Sequence, residues 1–87
     1  RTLGRELVGE YTLVYTWQGS DASLAPIILM SHQDVVPIEP GTESLWTYPP
    51  FEGRIADGFI WGRGALDDKF GVTGLLEAAE ILIAAGF

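Results

Sequence analysis

The chain has 87 residues, of which 47% are apolar and 20% are charged, a composition typical of one globular domain or of part of one. Twelve acidic residues against five basic ones give a formal net charge of −7. This balance argues against nucleic acid and anionic membranes as partners, because both require clustered Lys and Arg. The lack of cysteine excludes disulfides and thiolate metal sites.

The first thirty residues predict two strands. Residues 1–10 predict at most one amphipathic turn ended by Gly9, since their apolar positions are few: Leu3, Leu7 and Val8. Residues 11–17 are dense in β-branched and aromatic side chains and predict a strand. Residues 27–30 form an apolar run that predicts a second, fully buried strand. The short connection between these two strands favours antiparallel neighbours.

A long loop follows, from about residue 36 to residue 52, punctuated by prolines. Loops of this length are uncommon unless they serve a function or are disordered, and three aromatic residues argue against disorder: Trp46, Tyr48 and Phe51. These side chains either fix the loop to the core or form the wall of a pocket.

The last third of the chain predicts a hairpin and a helix. Residues 52–55 and 59–62 flank an Asp57-Gly58 pair, which is a strong signal for a tight turn. After Asp68, apolar residues recur at helical spacing, and Gly86 follows the last of them as a stop signal. The helical apolar positions are Val72, Leu75, Leu76, Ala79, Leu82 and Ile83.

Three common catalytic motifs are excluded. Gly62-Arg63-Gly64 begins like a dinucleotide fingerprint, but the third glycine position holds Asp67, whose charge would repel a pyrophosphate. Lys69 is followed by Phe70 rather than by Ser or Thr, so a P-loop is excluded as well. No Gly-x-Ser-x-Gly sequence is present, which leaves a serine hydrolase of that class without a nucleophile motif.

His32 and Asp34 are one pair of candidate site residues. Two residues apart in extended backbone, they point to the same face. A metal-bound histidine usually donates its second ring N–H to a carboxylate, and that of Asp34 can accept it. The alternative is a core histidine that is paired with a neighbouring acid and has no metal.

Asp67 and Asp68 are the other pair. They precede the predicted helix, where acids favour the positive end of the helix dipole. One acid is enough for that role, so two adjacent acids after Gly-Arg-Gly also fit a site. Arg63 can pair with a carboxylate of the protein or of a substrate, although such arginines are more often structural.

The motifs together resemble a known family. Residues 31–37 read Ser-His-Gln-Asp-Val-Val-Pro, residues 49–51 read Pro-Pro-Phe, and residues 60–69 read Ile-Trp-Gly-Arg-Gly-Ala-Leu-Asp-Asp-Lys. In this order they resemble the zinc-dependent amidohydrolases and carboxypeptidases, a family that includes carboxypeptidase S, aminoacylase, glutamate carboxypeptidase and succinyl-diaminopimelate desuccinylase. The sequences of these motifs are most similar to those of the carboxypeptidase S branch, and the resemblance extends from about residue 11 to residue 87.

The resemblance implies a role for each matching residue. His32 would be a ligand of one metal in a two-metal site, and Asp67 would bridge both metals. Asp34 would be the catalytic-site acid that orients His32. The peptide bond between Asp67 and Asp68 would be cis. The implied cofactor is two Zn²⁺ ions per complete site, with Co²⁺ or Mn²⁺ as alternatives.

The resemblance also implies an architecture and an activity. Residues 1–87 would be a single partial α/β domain, the N-terminal part of the catalytic domain, with hairpin strands and one long C-terminal helix packed on the sheet. The lid or dimerisation domain and the general-base glutamate would lie elsewhere in a parent protein that can be a homodimer. That parent would hydrolyse a peptide or an N-acyl amino acid by means of a metal-activated hydroxide. The alternative is a non-catalytic binding or structural module that retains the scaffold.

Overall fold

The computed structural model describes residues 3–87 and contains two hairpins followed by one helix. Strands β1 (Gly4–Val8) and β2 (Thr12–Thr16) form the first hairpin, and strands β3 (Arg54–Ala56) and β4 (Phe59–Trp61) form the second. A short 3₁₀ helix, Glu43–Leu45, interrupts the long loop, and helix α1 comprises Lys69–Ala84. The predicted α/β composition, with hairpin strands and a C-terminal helix, is confirmed.

The first hairpin corrects the prediction for the N-terminal segment. An amphipathic turn was expected within residues 1–10, of which residues 1 and 2 lie outside the described part. Instead β1 pairs with β2 in antiparallel register, from Gly4 opposite Thr16 to Val8 opposite Thr12. Gly9 adopts a positive φ of 64° in the connecting turn, a conformation that glycine takes without steric cost. Gly9 therefore ends a strand rather than a helical turn.

The prediction of a buried strand at residues 27–30 is wrong for the described part of the chain. These residues have no ladder partner there, and the side chains of Ile27, Ile28, Leu29 and Met30 are 69–86% exposed. The expected antiparallel pairing with residues 11–17 does not form, and β2 pairs with β1 alone among the described residues. An apolar run indicates that a segment favours burial, but it does not indicate which strand the segment pairs with.

The second hairpin confirms the Asp-Gly turn. Ala56 lies opposite Phe59, which leaves Asp57 and Gly58 as the two loop residues. Their φ angles are 53° and 80°, as a type I′ turn requires. This turn matches the right-handed twist of the strands and fixes the register of the short hairpin.

The long loop packs its aromatic residues onto the second hairpin. The rings of Tyr48 and Trp61 make an edge contact with centroids 5.2 Å apart. Trp46 and Tyr48 also line a shallow cavity of about 290 Å³ together with Leu45, Thr47, Trp61 and Gly62. Phe51 is 58% exposed. Both alternatives for the loop are thus partly met, since Trp46 and Tyr48 anchor it and form a wall.

Helix α1 ends as its sequence predicts. Gly86 has a φ of 77°, and the N–H groups of Gly86 and Phe87 donate to the carbonyls of Ile83 and Leu82 at 3.0 Å each. This pair of bonds is the Schellman motif, which satisfies carbonyls left open at a helix end. Glu77 and Glu80 are exposed along the helix.

The packing partner of α1 differs from the expectation. Within residues 3–87 the helix contacts neither hairpin. It lies instead beside residues 28–31, where Phe70, Gly71, Gly74 and Leu75 face that segment across a groove of about 460 Å³. No apolar side chain of the described residues is fully buried. The same residues include no helix that is both long and apolar enough to cross a bilayer.

Candidate metal centre

The two predicted site pairs lie close together. His32 directly follows the extended apolar segment 27–30, and Asp67 and Asp68 directly precede α1. Since α1 lies beside residues 28–31, its N-terminus is brought to the end of that segment. The peptide bond between Asp67 and Asp68 is cis, in agreement with the resemblance. The site is thus formed where an extended segment ends and a helix begins.

The imidazole of His32 is held from both sides. Its Nδ1 lies 3.2 Å from the backbone carbonyl oxygen of Asp34 and 3.2 Å from the carboxylate Oδ1 of the same residue. Its Nε2 lies 3.1 Å from Oδ1 of Asp67. The side chains are open to solvent, with exposed fractions of 53% for His32 and 88% for Asp67. An ion can therefore reach the gap between Nε2 and Oδ1.

The protonation of His32 decides what this contact means. Both oxygens near Nδ1 are acceptors, so Nδ1 carries a proton. A neutral imidazole with its proton on Nδ1 has a lone pair on Nε2, which would then face the lone pairs of Asp67. Two acceptors at 3.1 Å need a positive species between them. That species is either a second proton on the imidazole, which would lie between the two atoms, or a metal ion bound to both of them.

The local charges favour a cation at His32. The pKa of His32 is raised above its ordinary 6.5, chiefly because the Asp34 carbonyl accepts a hydrogen bond from the ring, and further because Asp67, Asp34 and Asp68 carry negative charge nearby. Desolvation acts in the opposite direction. Three carboxylates around one imidazole make this corner of the molecule suited to a positive ion.

Asp68 has a different role from Asp67. It occupies the N-cap position of α1 without a side-chain capping hydrogen bond. Its Oδ2 accepts hydrogen bonds from the Ser31 hydroxyl at 2.5 Å and from the His32 backbone N–H at 3.3 Å. The Ser31 hydroxyl, followed by that N–H, lowers the pKa of Asp68. This carboxylate is therefore engaged with the segment that carries His32.

Ser31 and Lys69 are site residues that the sequence did not single out. Ser31 contacts Asp68, and the ammonium of Lys69 donates to the Gln33 carbonyl at 2.7 Å. Both contacts span more than thirty positions, so no local pattern reveals them. Arg63 forms no ion pair among the described residues and lies over the Trp46 ring at 5.0 Å, which is a structural role.

The centre is incomplete within residues 3–87. No group of three or more His, Asp or Glu side chains there could hold a metal ion. A catalytic zinc site usually takes three protein ligands. His32 and Asp67 are two candidate ligands, so the described residues do not by themselves form a site with three ligands.

Comparison with known proteins adds a family match. Residues 28–87 match the model of peptidase family M20/M25/M40. This range contains both halves of the centre, from the apolar segment before His32 to the end of α1. No solved structure matches the chain.

Several curated proteins are similar over nearly the whole chain. "Probable carboxypeptidase S-like 2" of Dictyostelium discoideum is 51% identical over 93% of the chain, and carboxypeptidase S of Saccharomyces cerevisiae is 48% identical over 94%. The human "N-fatty-acyl-amino acid synthase/hydrolase PM20D1" is 53% identical over 90% of the chain. In each case the match covers 15% of the relative's own length.

Proposed function

Since the chain belongs to peptidase family M20/M25/M40, we propose that the complete polypeptide hydrolyses an amide bond with the help of two divalent metal ions, zinc being the first choice. Residues 1–87 then form the N-terminal part of its catalytic domain. The substrate is a peptide cleaved at its C-terminal residue or an N-acyl amino acid. Relatives bear names of both kinds, carboxypeptidase S and N-fatty-acyl-amino acid synthase/hydrolase.

The observation that carries this proposal is the separation of 3.1 Å between Nε2 of His32 and Oδ1 of Asp67. Zinc holds an imidazole nitrogen at about 2.0–2.1 Å and a carboxylate oxygen at about 2.0–2.2 Å, so two ligands of one ion lie roughly 2.9–3.4 Å apart at angles of roughly 90–109°. The two side chains thus have the spacing of a shared ion and need only small movements to hold one.

His32, Asp34 and Asp67 have different roles at this centre. His32 offers Nε2 to a metal while Asp34 keeps the proton on Nδ1, which fixes the tautomer and the ring plane. Asp67 has two carboxylate oxygens, so it can hold one ion beside His32 and a second ion on its other side. Metal ions bound here would polarise the scissile carbonyl and lower the pKa of water. The general base and the other ligands come from parts of the polypeptide beyond this chain.

The test is made on the full-length polypeptide. Metal analysis of the purified protein is expected to find about two zinc ions per chain, and His32→Ala and Asp67→Ala are expected to abolish hydrolysis of N-acyl amino acids and of peptides. Glu77→Ala is the matched control, because Glu77 is an exposed acid on α1, and it should retain wild-type rates. Wild-type rates in His32→Ala or Asp67→Ala would overturn the proposal. A wild-type polypeptide that binds no zinc and hydrolyses neither substrate would overturn it as well and would favour a binding module that retains the scaffold.

A further inference from the structure

We propose that the Ser31–Asp68 pair positions the two metal-binding side chains and is not itself a ligand set. The inference rests on the proposed function, because it concerns the geometry of the same centre. Ser31 immediately precedes His32, and Asp68 immediately follows Asp67. A hydrogen bond between Ser31 and Asp68 therefore controls the distance between His32 and Asp67.

The contacts of Asp68 show how the position is set. Its Oδ2 accepts from the Ser31 hydroxyl at 2.5 Å and from the His32 N–H at 3.3 Å. The Ser31 hydroxyl also lies 3.2 Å from the Asp68 backbone carbonyl. Side chain and main chain on both sides are thus joined at one place. Hydrogen bonds to a charged acceptor are short and strong, so this junction can hold the helix N-terminus against the segment that carries His32.

Gly71 provides the room for this junction. A Cβ added to Gly71 would lie 2.5 Å from Ser31 Oγ and 2.5 Å from Asp68 Oδ1. Both distances are well inside van der Waals contact, so any larger residue would push the two partners apart. The need for a small residue is confined to position 71. Gly74, one turn further along α1, has open space where its Cβ would be.

The position of Asp68 also separates it from metal binding. Its Oδ2 is turned towards Ser31 and the His32 backbone, whereas Asp67 Oδ1 faces the His32 ring. The two neighbouring acids therefore have separate functions. Asp67 faces the cation, and Asp68 joins the two chain segments.

The experiment measures Co²⁺ binding by the full-length, metal-depleted polypeptide, both as an affinity from competition with a chelator and as the visible absorption spectrum of the bound ion. Ser31→Ala and Asp68→Ala are expected to weaken binding about 10–100-fold, the range found when partners that orient metal ligands are removed, and to alter the Co²⁺ spectrum. The double variant should be little worse than either single one, because the two groups act as a unit.

Gly71→Ala should weaken binding in the same way, whereas Gly74→Ala on the same helix face should leave the affinity and the spectrum unchanged. A purely structural role for Ser31 would lower the melting temperature of the metal-free protein without changing the spectrum of the bound ion. Wild-type affinity and spectrum in both Ser31→Ala and Asp68→Ala would overturn the positioning role. If the wild type itself binds no Co²⁺, or if His32→Ala binds it as well as the wild type, the proposed function fails instead.

Discussion

The residue Asp34 offers two acceptors to one ring nitrogen of His32. Its carbonyl and its carboxylate both lie 3.2 Å from Nδ1. The tautomer is therefore fixed twice by the same residue, once through the main chain, which no substitution at position 34 removes. This arrangement leaves Nε2 facing Asp67, where it can carry a proton or bind a metal ion.

A pH prediction follows at the same residue. Because the folded-state pKa of His32 is raised above 6.5, a metal ion must displace a proton over a wider pH range than at an ordinary histidine. The protonated ring favours the metal-free fold below the unfolded pKa, and this contribution is lost as pH rises through the folded pKa. In the metal-depleted protein, NMR titration of the His32 ring should give a midpoint above 6.5. Addition of Zn²⁺ at that pH should release protons.

Asp67→Asn tests the cause of the shift. It removes one of the negative charges that raise the pKa of His32, so the midpoint should fall, although it should stay elevated because the Asp34 carbonyl remains. A wild-type midpoint at or below 6.5 would contradict the description of the site.

At the scale of elements, the second hairpin depends on its turn. Gly58 has a φ of 80° with open space around the position of a Cβ, so alanine there meets no neighbour but must adopt a left-handed conformation. Gly58→Ala should destabilise the protein by about 1–2 kcal/mol, measured by denaturant unfolding of the full-length polypeptide. Gly19→Ala is the matched control, because Gly19 has neither a positive φ nor a close neighbour. Equal stability of the two variants would contradict the turn assignment.

Elements with local signals could be predicted, and those that depend on distant partners could not. The Asp57-Gly58 turn and the Gly86 stop follow from residues within a few positions of each other. The pairing of β2 with β1 rather than with residues 27–30 is a choice between two neighbours in the chain, and apolar content does not decide it. The proximity of His32 and Asp67 was predicted from resemblance, whereas the contact between Ser31 and Asp68 depends on how α1 lies against the chain.

At the scale of the whole molecule, the chain is extended. Its radius of gyration is 17.3 Å, whereas a compact domain of this length has about 12 Å. No apolar side chain of the described residues is fully buried. The apolar residues of segment 27–30 and of helix α1 thus have too few partners here to form a core of their own.

We therefore predict that residues 1–87 expressed alone do not unfold cooperatively. Without a buried core, too little apolar area is removed from water to offset the conformational entropy of ordering the chain. Calorimetry should give no sharp transition, and the near-ultraviolet circular dichroism of the tryptophans should be weak. A cooperative transition with an enthalpy of about 60 kcal/mol, which is typical of a stable domain of this size, would contradict this prediction.

The span between His32 and Asp67 gives the centre a further consequence. The two residues are 35 positions apart, and the intervening chain includes the long loop and the second hairpin. An ion held by both would close this span like a covalent cross-link, and loops of such length give about 4 kcal/mol in the chain-entropy description of a cross-link. Chelation would then reopen the loop as well as stop hydrolysis. Loss of metal would therefore also disorder the loop around Trp46 and Tyr48, which are far along the chain from either ligand.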